Sequence, residues 1–220
     1  REFITNVSHE ILTPTSILKN RLENIMNEPG IPHEVLGQLA ESQRTLSRLT
    51  RIVKALLYIS KIENAQFIKN DSVFIKFQLE EVIEELSDRI EERGISITLD
   101  INEKSKIGPV NVSLIHTLLF NLISNAIKYN KASGKIDIEG HEDSNGFILS
   151  ISDTGVGIQP ENIPHIFDRF KRFRPDDEMS YGLGLPIVKT IADFHNIKIK
   201  VESNKDEGCK FSLIFPPEMA

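Results

Sequence analysis

Residues 121–129 read Asn-Leu-Ile-Ser-Asn-Ala-Ile-Lys-Tyr, and this stretch decides the fold of the second half of the chain. Asn121, Asn125 and Lys128 are spaced by four and three residues, so they share one face of an amphipathic helix predicted over residues 111–129. Asparagines on the inward side of a helix need hydrogen-bond partners. Their amide oxygens can also bind Mg²⁺, an ion that is often held jointly by protein and phosphate oxygens. The pattern therefore predicts either a polar seam bonded to loop backbone or part of a metal and phosphate site.

Two glycine-containing turns lie downstream of this helix. Residues 153–157, Asp-Thr-Gly-Val-Gly, follow a predicted strand, so a carboxylate stands at the strand end beside two positions that allow close backbone approach. Residues 182–185, Gly-Leu-Gly-Leu, precede a predicted helix, where backbone amides can cradle a phosphate. The alternative for the second turn is a helix start packed tightly on a sheet. Neither turn matches the phosphate loop G-x-x-x-x-G-K-[ST] or the dinucleotide-binding fingerprint.

A basic and aromatic cluster separates the two turns. Residues 167–174, Phe-Asp-Arg-Phe-Lys-Arg-Phe-Arg, contain four cations and three aromatic rings. Such a cluster can bind nucleic acid, but the rest of residues 67–220 is acidic. We therefore favour a local phosphate clamp, with the aromatic side chains anchoring a mobile segment. An ordinary solvated basic patch is the remaining alternative.

The chain begins with a candidate nucleophile. Residues 8–14 read Ser-His-Glu-Ile-Leu-Thr-Pro, on a helix whose apolar stripe leaves His9 facing outward. A single exposed histidine is usually solvated surface, but Glu10 could hold the Nδ1 proton and leave Nε2 free to attack phosphorus. Thr13 lies one turn later on the same face. A zinc-protease pair is excluded because it would need a second histidine at position 13.

Charge and periodicity both change near residue 66. Residues 1–66 carry a net charge of +1 and residues 67–220 a net charge of −7. Helices are predicted over residues 1–28 and 33–64, which form an antiparallel hairpin. Its apolar stripe has no partner within the hairpin, so we expect two copies to form a four-helix bundle; an ordinary hairpin inside a larger monomer is the alternative. The stripe consists of Leu39, Leu46, Leu49, Val53 and Leu56.

Residues 67–220 interleave strands and helices, and several strands follow one another by hairpins. This pattern predicts an α/β sandwich with helices on one face of a mixed sheet. Loops are predicted over residues 141–146 and 171–181. The predicted helices cover residues 78–92, 111–129, 160–169 and 185–194, and the predicted strands cover residues 72–77, 95–101, 135–139, 147–152, 197–202 and 210–215.

Composition narrows the function classes. The chain has 220 residues and a formal net charge of −6, which argues against a general nucleic-acid binder. Cys209 is the single cysteine, so an internal disulfide is excluded and a reducing compartment is favoured. The uncharged stretch Ile107–Ile127 contains Gly, Pro, His and three Asn residues, so it is predicted to be a turn and a soluble helix rather than a membrane span. The first residues lack the pattern of a signal peptide.

Taken together and in this order, the motifs resemble those of the sensor histidine kinases of bacterial two-component systems. Residues 3–14 resemble the family's H-box, residues 121–129 its N-box, residues 153–157 its G1 box, residues 167–170 its F-box and residues 182–185 its G2 box. The resemblance implies an α+β architecture. A dimerisation and phosphotransfer domain at residues 1–66 would form a dimeric four-helix bundle. A catalytic domain at residues 67–220 would be an ATP-binding α/β sandwich of the histidine kinase, topoisomerase and chaperone ATPase type.

The resemblance also implies a role for each matched residue. His9 is the phospho-acceptor, Glu10 activates it, and Thr13 orients water when the phosphorylated partner is dephosphorylated. Asn125 is the Mg²⁺ ligand, and Asp153 accepts the adenine amino group. The remaining nucleotide-binding residues are Asn121, Lys128, Tyr129, Gly155, Gly157, Arg172, Gly182, Leu183, Gly184 and Leu185, with Arg172 as the γ-phosphate cation.

The implied activity is ATP-dependent autophosphorylation followed by transfer to an aspartate of a response regulator receiver domain. ATP and Mg²⁺ are the implied cofactors, and a second copy of the chain and the regulator are the implied partners. The expected location is the cytoplasm, with any membrane attachment through segments absent from this chain. Leu12 stands where the family usually has a basic residue, which could alter partner docking. The alternatives are a nucleotide-binding scaffold that acts mainly as a regulator phosphatase and a plain ATPase of the same superfamily.

Overall fold

A computed structural model describes residues 2–143, 146–171 and 181–219 of the chain. The chain divides into two compact units, residues 1–66 and residues 67–220. Within the described residues, no helix combines the length and the apolar composition that a membrane span requires.

The first unit is a helical hairpin. It consists of helices α1, Glu2–Met26, and α2, His33–Glu63, joined by a turn in which Gly30 has a φ of +90°. The helices contact each other, and the Gln43 side chain donates a hydrogen bond to Glu23 Oε1 across the hairpin at 3.0 Å. The turn contains Pro29, Gly30 and Pro32, residues that terminate helices, which explains why one long helical pattern folds as two helices.

The hairpin leaves much of its apolar surface uncovered. Leu49 of the apolar stripe is 51% exposed, and the other four stripe residues are only half-buried. The groove between the helices is lined by Leu18, Leu22, Gln38, Glu41, Ser42, Thr45, Leu46 and Leu49. Further exposed apolar side chains are Ile11, Ile17, Leu18, Ile25 and Val35. Two helices alone therefore do not complete a core.

The second unit is built on a five-stranded sheet in the order β2-β4-β5-β7-β6. Strands β2 and β4 are parallel, and the other neighbouring pairs are antiparallel. A separate two-stranded sheet pairs β1 with β3. The strands are β1 Asp71–Phe74, β2 Ser96–Asp100, β3 Lys106–Val110, β4 Lys135–Asp143, β5 Gly146–Asp153, β6 Lys198–Ser203 and β7 Cys209–Phe215.

Helix α5 is the central helix of this unit. The side chain of its N-cap residue, Asn111, accepts a hydrogen bond from the Leu114 amide at 3.1 Å, which satisfies one of the amides at the start of the helix. The helix contacts α3, α6 and strand β5, and eight of its apolar side chains are buried. The helices are α3 Ile75–Glu85, α4 Ser87–Arg93, α5 Val112–Lys128 and α6 Gly184–Phe194, with 3-10 turns at Pro160–His165 and Pro217–Met219.

Several boundaries differ from the sequence predictions. The helix predicted over residues 78–92 is two helices that meet at Leu86, and the preceding strand ends at Phe74. Strand β3 was not predicted, because its Gly108-Pro109 pair is typical of a turn; the strand pairs only with β1, so the missing Pro109 amide is tolerated. Residues 141–143, predicted as loop, continue β4 and pair with residues 146–148. The helix predicted over residues 160–169 is only a 3-10 turn.

Candidate functional site

A cavity of about 270 Å³ lies between α5, the ends of β5 and β7, and the start of α6. Seven of the residues predicted to bind nucleotide line it: Asn125, Tyr129, Asp153, Gly157, Gly182, Gly184 and Leu185. Four predicted residues, Asn121, Lys128, Gly155 and Leu183, do not line it but adjoin residues that do. Arg172 lies outside the described residues. The structure thus brings together three motifs that are separated by up to 60 positions in the sequence.

Asp153 provides the carboxylate of the cavity. It is the last residue of β5 and pairs with Cys209, the first residue of β7. Its Oδ1 accepts a hydrogen bond from the Gly155 amide at 2.8 Å, and the Cys209 amide also hydrogen-bonds to the carboxylate. Burial raises the pKa of Asp153 above its usual value, while these two amides oppose the rise. The carboxyl group is therefore held in one orientation and carries an electrostatic cost when it is ionised.

Two glycines keep the cavity walls in place. Gly157 has a φ of +63°, and a side chain there would collide with the backbone of Asn204 in the β6–β7 turn. Gly182 also has a φ of +63°, and a Cβ atom there would lie 2.6 Å from the Lys171 carbonyl oxygen. Both positions combine a left-handed backbone with close approach of another chain segment, which only glycine tolerates without strain.

The two asparagines of α5 have different surroundings. Asn125 lines the cavity. Asn121 does not line it, and its Nδ2 donates to the Thr117 carbonyl within the helix at 2.7 Å. The Asn121 Oδ1 instead packs against the start of α6, where a Cβ on Gly184 would lie 2.9 Å away. Asn121 thus bonds to helix backbone and not to the loop backbone of the predicted polar seam, and Asn125 is the candidate ligand of the cavity.

The start of α6 supplies backbone donors. Its N-cap residue, Leu183, makes no side-chain hydrogen bond to the first turn, so the amides of Gly184 and Leu185 have no side-chain cap. Both residues line the cavity. Such a helix start, with its partial positive charge, is suited to an anion. Lys128, predicted to contact phosphate, has its Nζ 5.1 Å from the centre of the Tyr129 ring.

The structure adds lining residues that sequence reasoning missed. Burial and the neighbouring Asp153 raise the pKa of the Cys209 thiol to about 12, so it is protonated at neutral pH. Its place beside Asp153 depends on the β5–β7 register, which the sequence does not reveal. Lys171 was visible within the basic cluster but was not singled out. The added polar residues are Gln159, Asn162, Lys171, Lys205, Asp206 and Cys209.

The side chains around the cavity limit the kind of metal ion that it can hold. Among the described residues, no group of three or more His, Cys, Asp or Glu side chains lies close enough to hold one. The Asn125 amide oxygen nevertheless fits Mg²⁺, because this ion needs few protein ligands when it keeps waters and shares phosphate oxygens.

The phospho-acceptor candidates lie in the other unit. His9 and Glu10 are within α1, but their side chains lie outside the described part of the chain, so the outward direction of His9 stays a prediction. Thr13 is exposed on the same helix. The helix continues through Pro14 to Met26.

Known proteins match both units. A family model described as Histidine kinase-, DNA gyrase B-, and HSP90-like ATPase matches residues 110–219. A model described as His Kinase A (phospho-acceptor) domain matches residues 1–65.

Individual relatives agree with these matches. The heme sensor protein HssS of Staphylococcus haemolyticus is 32% identical over 98% of this chain and 47% of its own length. The sensor protein SrrB of Staphylococcus aureus is 32% identical over 98% of this chain and 38% of its own length. The chain thus spans less than half the length of these relatives.

A solved structure agrees as well. The Acinetobacter baumannii histidine kinase AdeS superposes with a TM-score of 0.67 at 29% identity, over 95% of this chain and 98% of that one. These matches confirm the predicted fold class, a helical hairpin followed by an ATPase-type sandwich. The chain therefore belongs to the sensor histidine kinases of two-component systems, with a phospho-acceptor domain followed by a domain of the histidine kinase, gyrase B and HSP90-like ATPase family.

Proposed function

We propose that this chain is the catalytic core of a sensor histidine kinase that transfers the γ-phosphoryl group of ATP to His9. An aspartate of a response regulator receiver domain then takes the phosphoryl group from His9. The observation that carries the proposal is the cavity of the second unit, which combines a half-buried carboxylate, an amide oxygen and a helix start whose N-cap residue makes no side-chain hydrogen bond. These are groups suited to a base, a metal ion and phosphates, respectively.

The base end of the cavity is assigned to Asp153. An ionised carboxylate only accepts hydrogen bonds, so it suits the amino group of adenine and opposes the carbonyl oxygen of guanine. The amides of Gly155 and Cys209 hold the carboxylate in position. Gly157 keeps the β6–β7 turn against this wall. The chain should therefore bind ATP in preference to GTP.

The phosphate end is assigned to the start of α6 and to nearby polar residues. Gly182, Gly184 and Leu185 line the cavity there, with Leu183 as the N-cap residue. Asn125 would hold Mg²⁺, which, when bound, neutralises charge on the phosphates. Four further residues would contact the phosphates and the predicted loop at residues 171–181: Asn121, Lys128, Tyr129 and Arg172.

The acceptor is assigned to α1. His9 Nε2 attacks the γ-phosphorus, a nitrogen–phosphorus bond forms, and the bond from the γ-phosphorus to the bridging oxygen breaks as ADP leaves. Glu10 holds the Nδ1 proton and keeps the other nitrogen nucleophilic. We further propose that residues 1–66 form the dimerisation domain and residues 67–220 the catalytic domain, consistent with the two compact units. The chain would act in the cytoplasm as part of a longer sensor, without binding nucleic acid.

Incubation of the full chain with ATP labelled on its γ-phosphate tests the proposal. We expect label on the wild-type protein and none on His9→Gln, while calorimetry shows unchanged ATP binding by that variant. The absence of label on a wild type that binds ATP would support the scaffold alternative. ATP hydrolysis that continues undiminished in His9→Gln would support the plain ATPase alternative.

Thr13 provides a separate test of the acceptor helix. It is exposed one turn after His9, and its hydroxyl can orient a water molecule. We expect Thr13→Ala to spare autophosphorylation and to slow dephosphorylation of the regulator about tenfold, as is typical when a positioning group is lost. Thr15→Ala is the matched control, because the Thr15 hydroxyl donates to the Leu12 carbonyl at 2.8 Å. Equal phosphatase rates in wild type and Thr13→Ala would refute the assignment.

A further inference from the structure

The side chains of His165, Asp168 and Lys171 form a cluster at the rim of the cavity. His165 Nδ1 lies 2.9 Å from Asp168 Oδ2, and Lys171 Nζ lies 3.4 Å from the same oxygen. The side chains of His165, Asp168 and Lys171 are 51%, 51% and 39% exposed. These two contacts lower the pKa of Asp168, so its carboxylate remains ionised. The cluster is thus a solvated group in which one carboxylate serves two partners.

Lys171 belongs to the cavity as well as to this cluster. It lines the cavity directly, and its backbone is fixed beside the start of α6. The neighbouring Phe170 amide donates to the Gly182 carbonyl at 2.9 Å, and a Cβ on Gly182 would lie 2.6 Å from the Lys171 carbonyl oxygen. The backbone of Lys171 is therefore held next to Gly182, two residues before the first residue of α6, while its side chain is long enough to reach into the cavity.

The bond between Lys171 and Asp168 is easily exchanged. Ion pairs that are half exposed contribute little to stability, because water competes for both charges. The lysine side chain is long and flexible, and its compact charge binds phosphate well. A polyphosphate carries more negative charge than one carboxylate and would face the positive end of α6 at the same time.

We propose that Lys171 is a phosphate-binding residue of this cavity, and that Asp168 is its counter-ion, which it exchanges for the polyphosphate when a nucleotide binds. This inference rests on the proposed function, since it needs a nucleotide in the cavity. It adds a cation to the site beyond the family-matched Arg172. It also gives Asp168 a defined effect: the carboxylate competes with phosphate and lowers nucleotide affinity.

Calorimetric titration of the full chain with ATP and with adenosine tests the exchange. We expect Lys171→Gln to weaken ATP binding roughly tenfold and to leave adenosine binding unchanged, because adenosine has no phosphate. Asp168→Asn should tighten ATP binding about twofold to threefold, since it removes the competing charge. The double variant should resemble Lys171→Gln, because the competition that Asp168 exerts against phosphate is for the lysine ammonium group, whereas its other partner, His165, does not line the cavity.

A second ion pair of the same unit supplies matched controls. Lys189 Nζ lies 2.6 Å from Asp193 Oδ1 on α6, both side chains are about half exposed, and neither residue lines the cavity. Lys189→Gln and Asp193→Asn should leave both affinities unchanged. Weaker ATP binding by Asp168→Asn, or an equal loss of ATP and adenosine binding in Lys171→Gln, would overturn the inference. A wild type that binds adenosine and ATP with equal affinity would overturn it too, whereas a wild type that binds neither would overturn the proposed function.

Discussion

The two units differ in how completely they cover their apolar side chains. Among the described residues, nearly all buried apolar side chains belong to residues 67–220, and in the hairpin only Ile59 and Ile62 are buried. The hairpin is less than half as long as the second unit, but among the side chains that the structure describes it has six large exposed apolar ones, against four in the second unit. The second unit thus completes its own core, while the hairpin needs a further surface.

This difference matches the chemistry proposed for each unit. The second unit uses its closed core as a rigid frame, which holds Asp153 between two backbone amides and places the start of α6 at the same cavity. The role proposed for the hairpin is to offer an acceptor residue and a surface for a second copy. A cavity needs fixed walls, whereas an acceptor must be reached by more than one partner. Substitutions in the cavity of the second unit and on the exposed face of the hairpin should therefore have separate effects.

The largest expected effect lies in the nucleotide cavity. Asp153→Ala should weaken ATP binding at least about thirtyfold, because it removes a charged hydrogen-bond partner. It should also narrow the preference for ATP over GTP, which we expect to be at least about tenfold in the wild type. Asp100→Ala is the control, since Asp100 is an exposed carboxylate that also ends a strand of the same sheet, β2, and does not line the cavity. Calorimetric titration of ATP and GTP into the wild type and both variants measures these affinities. A wild type that binds GTP with the same affinity as ATP would show that Asp153 does not recognise the base.

The next effect concerns the exposed face of the hairpin. Leu49 is 51% exposed and belongs to the apolar stripe. Leu49→Arg should raise the dissociation constant of the dimer at least about tenfold, because it places a charge where the proposed dimer would bury apolar area. Phe77→Arg is the matched control, since Phe77 is 58% exposed in the second unit. Light scattering over a dilution series measures this; equal oligomeric states of wild type and Leu49→Arg would contradict the bundle.

The smallest effect is one of stability. Burial raises the pKa of Asp153, so the folded unit holds the proton more tightly than the unfolded chain does. At pH values above the pKa of Asp153 in the folded unit, the ionised carboxylate lowers the stability of the unit by its full amount. This loss of stability disappears as the pH falls below 3.8, the ordinary pKa of an aspartate. Asp153→Asn should raise Tm by about 2 °C at pH 7.5. Thermal melting of wild type and variant at pH 7.5 and at a pH below 3.8 checks it: the gain in Tm should vanish at the lower pH, and a gain that grows toward acid pH would contradict the prediction.

The sequence predicted those features that depend on local pattern. The apolar period of α5 and the turn after Asp153 identify the two main walls of the cavity. Strand β3 was missed because Gly108-Pro109 reads locally as a turn, and only its pairing with β1 makes it a strand. Cys209 was missed as a lining residue because its position depends on the β5–β7 register. The hydrogen bond from the Asn121 Nδ2 to a helix carbonyl one turn away was not predicted, and the assignment of this side chain to the nucleotide stays a prediction.

The central claim is that the unit without a nucleotide cavity receives the phosphoryl group. Locating that group on the wild-type chain after incubation with ATP and Mg²⁺ tests this most directly. Peptide mapping at neutral pH should place it on His9, and the bond should be labile to acid and stable to alkali, as expected for a phosphorus–nitrogen bond. A phosphoryl group on a residue of 67–220, or an acid-stable ester on a hydroxyl side chain, would contradict the account.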